Sequence, residues 1–375
     1  MAAVKPSPTG AVLALATRLR AEGRDIISLG TGEPDFDTPQ AIKDAAVTAI
    51  AAGATKYTPI DGSADLKSAI QAKLKRDNSL QYGLDQILVT SGAKQALFNL
   101  CIGLIGPGDE AIIPSPYWVS YPDMVRLAEA TPVFVATGID QDFKMTPQQL
   151  ADAITPRTRL LILNSPCNPT GASYSASELR AFGEVLEAHP QVVVASDEIY
   201  ESIHWGPEPF VSFAEACPSL FARTVTINGV SKTYAMTGWR IGYAAGPKEL
   251  IGAMSTVQSQ STSNACSISQ AAATAALEGN QDVVDNMVAE YRKRHDFVVA
   301  ALNDIPGIEC RPGEGTFYAL PRVAGVIDRL DMGDDVKLTE HLINSVGLAV
   351  VPGTAFGAHV FIRLSFACSM EALNE

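Results

Sequence analysis

A single lysine, Lys232, stands in the stretch "NGVSKTYAMTGWRIGY" among small and apolar neighbours, with Arg240 following close behind. A bare buried ammonium is costly. Such a lysine is therefore either a loop residue snorkelling past a glycine or one whose amine is neutral part of the time because it does chemistry. Asp197 and Glu198 pose the matching question in "QVVVASDEIY", where carboxylates leave a very apolar segment just before Tyr200. A carboxylate in that setting requires a partner.

Other polar residues recur at the ends of apolar segments. Ser91-Gly92-Ala93 separates "QILVT" from the helical pattern "KQALFNLCIGLI". Small residues at a helix start offer backbone N–H groups and a positive dipole end to an anion, although a plain tight turn reads the same way. Trp118 in "PYWVSYPD" could cover a planar ring or simply pack. Asn164 and Asn168 in "NSPCNPTG" are held among prolines, which fix amide side chains but also build ordinary turns. Two nucleotide motifs fail. Ser231 precedes Lys232 and Thr226 occupies the first-glycine position of a phosphate-binding loop, while "GTGEPD" lacks the third glycine of a dinucleotide fingerprint and carries Pro34 where a helix is needed.

The elements that must carry these residues alternate in period. "DIISLG", "QILVTSG", "AIIPSP", "TPVFVAT", "RLLILNSP", "QVVVASDEIY" and "TVTINGVSK" read as short apolar strands, with helical stretches such as "SASELRAFGEVLEAH" between several of them. Continuous apolar strands separated by helices predict a parallel sheet buried on both faces, with ligands beyond the carboxyl ends of the strands. After about residue 280 the pattern changes to a long helix, "DVVDNMVAEYRKRHDFVVAALNDI", followed by "TFYAL", "GLAVVPG" and "FIRLSFA". The expected organisation is an N-terminal segment 1–35 joining a smaller α+β domain at 286–375, and a large domain at 36–285.

A chain of 375 residues with 47% hydrophobic and 18% charged residues has ample material for two or three compact domains. Its net charge of -13 disfavours a nucleic-acid partner. No apolar run approaches the roughly 18 residues that span a bilayer. Near the N-terminus, Val12, Leu15, Ala16 and Leu19 form a helical stripe while Arg18 and Arg20 interrupt any continuous apolar core, which favours an amphipathic helix over a signal peptide. The six cysteines are scattered singly, which points to reduced thiols, a cytoplasmic protein and no metal site.

One chemistry employs all of these residues. A pyridoxal phosphate Schiff base needs one lysine, a carboxylate for the pyridine nitrogen, donors for the ring oxygen, an aromatic over the ring, and a helix start with an arginine for the phosphate. Lys232, Asp197, Tyr200 with Asn168, Trp118, and Ser91-Gly92-Ala93 with Arg240 match those needs.

The motifs "GTGEPDFDTP", "KYTPIDG", "SGAKQALFN", "PYWVSYPD", "NSPCNPTG", "SDEIY", "SKTYAMTGWRIGYAAGP", "VVPGTAFG" and "IRLSFA" resemble, in that order, those of the class I aminotransferases of fold-type I, and most closely the aspartate/prephenate branch. The resemblance implies an α/β fold with a large, mostly parallel-sheet domain and a smaller α+β domain. It implies a homodimer in which Tyr57 reaches the neighbour's phosphate. It also implies that Lys232 carries the cofactor and shuttles a proton, Asp197 pairs with the pyridine nitrogen, Tyr200 and Asn168 bind the ring oxygen, and Trp118 stacks on the ring. Arg240 with Ser91–Ala93 would hold the phosphate. On the substrate side, Arg363 and the backbone of Gly32 would take the α-carboxylate, Lys94 the distal carboxylate, and Thr38 would matter for prephenate. From its residues alone, Lys94 is either a solvated lysine reaching past the helix start or a cation that opposes the helix dipole and calls for a compensating anion, and Thr38 reads as an N-cap before Pro39.

The implied reaction is transfer of an amino group from aspartate or glutamate to 2-oxoglutarate or oxaloacetate by a ping-pong cycle. Alternatives are a prephenate/arogenate or aromatic aminotransferase, a β-eliminating lyase, or a non-catalytic regulator; the last usually carries a basic DNA-binding segment that is missing here. Three features depart from the pattern. Position 229 is glycine where many relatives have a phosphate-binding serine, the stretch between "TFYAL" and "VVPG" is short, and the last helix is shorter than in relatives, which bears on the small domain and its closure.

Overall fold

The structure, a computed structural model, describes residues 8–375, so Met1–Ser7 of the expected N-terminal segment lie outside the described residues. In chain order the strands are β1 (Ile27–Ser28), β2 (Ile87–Thr90), β3 (Glu110–Ser115), β4 (Thr131–Ala136), β5 (Thr158–Asn164), β6 (Val193–Asp197), β7 (Thr224–Gly229), β8 (Gly242–Ala245), β9 (Tyr318–Ala319), β10 (Leu348–Ala349), β11 (Val351–Pro352) and β12 (Ile362–Ser365).

Seven of them form one sheet in the order β2-β8-β7-β6-β5-β3-β4. The pairs β3/β4, β3/β5, β5/β6 and β6/β7 are parallel, as the uninterrupted apolar runs predicted. Leu161, Val194, Ala195 and Val225 are fully buried because helices cover both faces. The exception is β8, which pairs antiparallel with both β7 and β2. Its sequence, "GYAA", is too short and too rich in small residues to announce a strand. Pairing on both edges creates it. The chain thus leaves β7, loops through Lys232 and Arg240, and returns beside itself.

Glycine governs this return. A Cβ on Gly229 would lie 2.9 Å from both the Gly242 Cα and the Ile241 carbonyl oxygen, so no side chain fits there. The missing serine is therefore a consequence of close strand packing. Gly92 has φ +84, the left-handed region that glycine enters without penalty, and a Cβ there would collide with the Arg240 guanidinium. Directly after it, the helix Ala93–Leu104 begins.

The remaining strands are short. β11, β12 and β9 make an antiparallel sheet, and β1 pairs parallel with β10. The expected single strand in "GLAVVPG" is two, β10 and β11, each turned to a different partner. The helix Pro8–Ala21 packs Ala16 and Leu19 against Ile26, Ile343 and Ala349, with Val12 and Leu15 alongside, so the predicted stripe is the buried one. The helix Asp282–Asn303 places Tyr291 and Val298 in a core that also holds Ile70, Val89 and Phe317. No described helix is long and apolar enough to cross a membrane, and all six cysteines are free thiols.

Candidate active site

A cavity of about 370 Å³ opens beyond the carboxyl ends of β5, β6 and β7, where Asn164, Asp197 and the loop after Gly229 converge. Its lining includes Lys232, Asp197, Tyr200, Trp118, Asn168, Ala93, Lys94, Arg240, Gly32 and Arg363. Four cations, Lys94, Lys232, Arg240 and Arg363, face two carboxylates, Asp197 and Glu33, in a chain whose overall charge is -13. The cavity therefore selects anions against the sign of the whole molecule.

Asp197 ends β6 and is buried. Its Oδ2 accepts a 2.6 Å hydrogen bond from the Tyr121 hydroxyl, and the Ile199 N–H points at Oδ1 from 3.4 Å. Burial pushes this carboxyl up to about 6, against the pull of Tyr121, so a cation brought to it is strongly favoured. Asn164 donates to the Asp197 carbonyl and accepts from the Asn168 N–H, which ties the "NSPCNP" turn to the strand end.

Lys232 donates to the Gly32 carbonyl at 2.5 Å. Burial, then the Arg363 charge, brings its amine down to about 8, opposed by Glu33 and Asp197. A substantial neutral fraction near neutral pH is what a nucleophilic amine requires. Tyr200 presents its hydroxyl to Tyr318 at 3.0 Å.

Arg240, with φ 55, aims its guanidinium at the β2 end; it donates to the Thr237 carbonyl at 2.8 Å and lies 3.4 Å from the Ser91 carbonyl. Together with the N–H groups at the start of Ala93–Leu104, this makes an anion seat. Trp118 forms one wall, edge-on to Tyr121 and with the Lys94 ammonium 4.8 Å over its ring. Lys94 is exposed at the cavity mouth; desolvation and the nearby Arg240 lower its amine, and its described contact is the Trp118 ring. Arg363 is buried on β12 and donates to the Asn168 Oδ1 and the Gly30 carbonyl, while its Nε has no partner. A buried guanidinium with an unused donor is prepared for a carboxylate.

Four expected residues are not part of the cavity lining: Ser91 and Gly92, which meet the Arg240 guanidinium, and Thr38 and Tyr57. Thr38 donates to the Ala235 carbonyl and accepts from the Trp239 indole N–H, so it is a strut between the "FDTP" segment and the lysine loop. Nor does it cap a helix: Gln40–Ala51 starts after Pro39 with no side-chain cap. Tyr57 is 91% exposed and does not line this cavity. Conversely, Tyr121, Tyr318, Glu33 and Ser231 line the cavity without having been assigned roles. Tyr121 opens the helix Tyr121–Leu127 and its N–H bonds back to the Trp118 carbonyl, so its place three residues after Trp118 carried a signal; Tyr318 in "TFYAL" carried none.

The aminotransferase class I and II family profile matches residues 24–375. The chain is 54% identical to an aspartate/prephenate aminotransferase of Nitrosomonas europaea, covering 100% of this chain and 96% of that protein. It is 52% identical to an aspartate/prephenate aminotransferase of Cereibacter sphaeroides, covering 100% and 95%. The aspartate aminotransferase of Rhizobium meliloti superposes with a TM-score of 0.94 at 47% identity, covering 100% of this chain and 94% of that one. The Thermus thermophilus aspartate aminotransferase solved with maleate gives 0.93 at 43%, covering 99% and 95%. The profile match over most of the chain and these full-length relatives show that the chain belongs to the aminotransferase class I and II family.

Proposed function

We propose that the cavity binds pyridoxal 5′-phosphate and that the protein moves the amino group of aspartate or glutamate to 2-oxoglutarate or oxaloacetate by a ping-pong cycle. The observation that carries this reading is the pairing of a lysine amine at about 8 with a buried, hydrogen-bonded aspartate across one anion-selecting cavity. The donor set fits the cofactor. Asp197 faces where a cationic ring nitrogen is wanted, Tyr200 and Asn168 supply hydrogen bonds for a ring oxygen, and Trp118 gives a flat wall. Arg240 and the turn Ser91–Gly92–Ala93 supply a phosphate seat. When bound, the cofactor supplies an electron sink beside the substrate's α-carbon.

The chain's own residues do the rest. Asp197, fixed by Tyr121, holds a proton on the ring nitrogen by its charge. Lys232 Nζ takes the proton from the substrate's α-carbon and returns it on the far side of the transfer. Arg363, with the Gly32 backbone, holds the α-carboxylate and so sets the bond that breaks, and Lys94 takes the distal carboxylate. The relatives named aspartate/prephenate aminotransferase support a second reading, with prephenate or arogenate as partner substrates. The solved relative with maleate, a dicarboxylate, supports the first.

The reading includes a cytoplasmic homodimer built from a large unit, 36–285, and a small unit formed by 286–375 with 1–35. Tyr57, 91% exposed, lies beyond the helix Gln40–Ala51, whose Val47 and Ile50 are also exposed, a surface that suits a second copy. A donor screen with 2-oxoglutarate on protein loaded with pyridoxal phosphate tests the whole reading. Aspartate or glutamate should be fastest, and no turnover with any amino acid would refute it. Mixing Lys232→Ala with Tyr57→Ala subunits should restore activity if sites are shared; no recovery after verified subunit exchange would refute sharing.

A further inference from the structure

Tyr318 lies on β9, opposite Ser365 of β12. Residues two apart on a strand share a face, so Tyr318 and Arg363 are diagonal neighbours on one side of the small sheet. The contact is direct: the Arg363 guanidinium carbon sits 4.5 Å from the centre of the Tyr318 ring. At its other end the Tyr318 hydroxyl is 3.0 Å from that of Tyr200. It also presses on Gly32, where a Cβ would come within 2.9 Å of it. One side chain thus touches the proposed substrate cation, the proposed ring-oxygen donor and the backbone that receives the Lys232 amine.

We propose that Tyr318 is a positioning residue that couples carboxylate capture at Arg363 to the hydrogen bond Tyr200 offers the cofactor. This rests on the cofactor reading above. Two hydroxyls at 3.0 Å share one hydrogen, so one donates and the other accepts. If Tyr200 directs its hydrogen into the cavity, Tyr318 must donate to Tyr200, and that second bond polarises the first and strengthens it. With the opposite orientation Tyr200 is spent on Tyr318 and the cavity loses a donor.

The charged groups facing the pair are Arg363, Glu33 and Asp197, with Lys232 on the open side. Burial raises both phenols, and the Arg363 charge pulls both down. A carboxylate bound to Arg363 screens that charge, makes Tyr318 a weaker donor, and so weakens Tyr200 as a donor to the ring oxygen. A ring oxygen with a weaker donor leaves the neighbouring nitrogen more basic. Carboxylate binding should therefore raise the midpoint at which the loaded protein changes colour with pH.

The test is a visible-absorbance pH titration of loaded wild type, Tyr318→Phe, Tyr200→Phe and the double variant, each with and without maleate. Removal of one hydroxyl keeps the ring against Arg363, so folding should be unchanged by thermal melting. Tyr318→Phe should raise the midpoint by roughly half to one pH unit. It should have no further effect on the Tyr200→Phe background, the signature of an action through Tyr200. Maleate should raise the wild-type midpoint and move that of Tyr318→Phe by less than half as much. In turnover, kcat should fall several-fold while KM for the amino donor changes less than about twofold. Equal midpoints and equal maleate shifts in wild type and Tyr318→Phe, or additive effects with Tyr200→Phe, would overturn the coupling alone. A wild type that takes up no cofactor would overturn it together with the function on which it rests.

Discussion

Asp197 and Arg363 both reach the same cavity from β-strands, yet the two strands are supported differently. β6 lies inside a seven-stranded sheet with parallel neighbours on both sides, and its register sets Asp197 beside Asn164 and Ile227. The Asp197 carboxylate then receives Tyr121 and the Ile199 N–H. β12 is the middle of a three-stranded sheet whose other members are two residues long. Arg363 is held through its two Nη groups and keeps Nε unpaired. On the proposed function, the difference separates two tasks. A group that tunes a resident ring by charge is most effective when it cannot relax. A group that captures successive substrates benefits from an open donor on a lighter support.

Substitutions at four residues can break or sharpen that contrast. Lys232→Ala should remove several orders of magnitude of turnover while leaving a folded protein, because general base and nucleophile are lost together. Near wild-type transamination by the purified variant would abolish the assignment. The same lysine strains the cofactor-free fold. Its folded value of about 8 lies below the unfolded 10.5, so the unfolded chain binds the proton more tightly. Lys232→Met should therefore melt higher than wild type at pH 7, and the gap should narrow between pH 8 and 10.5.

Asp197→Ala should lower kcat by roughly a hundredfold to a thousandfold, the scale of a lost preorganised charge, whereas Asp197→Glu should be milder. Equal activity of the two variants would mean that the carboxylate is structural. Arg363→Lys should raise KM for amino donors by roughly tenfold to a hundredfold, since a point charge cannot replace a fork. The absorbance of its bound cofactor should stay unchanged; a loss of cofactor binding would erase the division between the two ends. Lys94→Ala is the smallest expected effect, roughly tenfold in kcat/KM for dicarboxylic donors and little for alanine or phenylalanine. An equal loss for every donor would move Lys94 to the phosphate seat.

The residues that could be read in advance were those at the ends of long apolar strands. Lys232, Asp197, Asn168 and the Ser91–Ala93 turn each follow a segment whose burial on both faces leaves little choice about where its end points. Tyr318 lies on a two-residue strand, and nothing in "TFYAL" indicates which neighbour its hydroxyl meets. Thr38 shows the opposite failure. A threonine before a proline and a helical pattern suggests a cap, but the indole of Trp239 and the Ala235 carbonyl, both far away in sequence, engage its hydroxyl first. The strand β8 was hidden because small residues have weak strand preference and only its two neighbours impose it.

By itself the amino-acid sequence determined the alternation of buried strands and helices, the chemistry of the strand-end residues, and the family. These follow from local period and residue type, which act along the chain. Tertiary structure alone decided the antiparallel return of β8, the glycine at 229, and the pairs Tyr121–Asp197, Tyr200–Tyr318 and Tyr318–Arg363. Each joins segments distant in the chain at contact range. Whether a hydroxyl donates to a carboxylate, a phenol or a carbonyl depends on angstrom distances that no sequence spacing encodes.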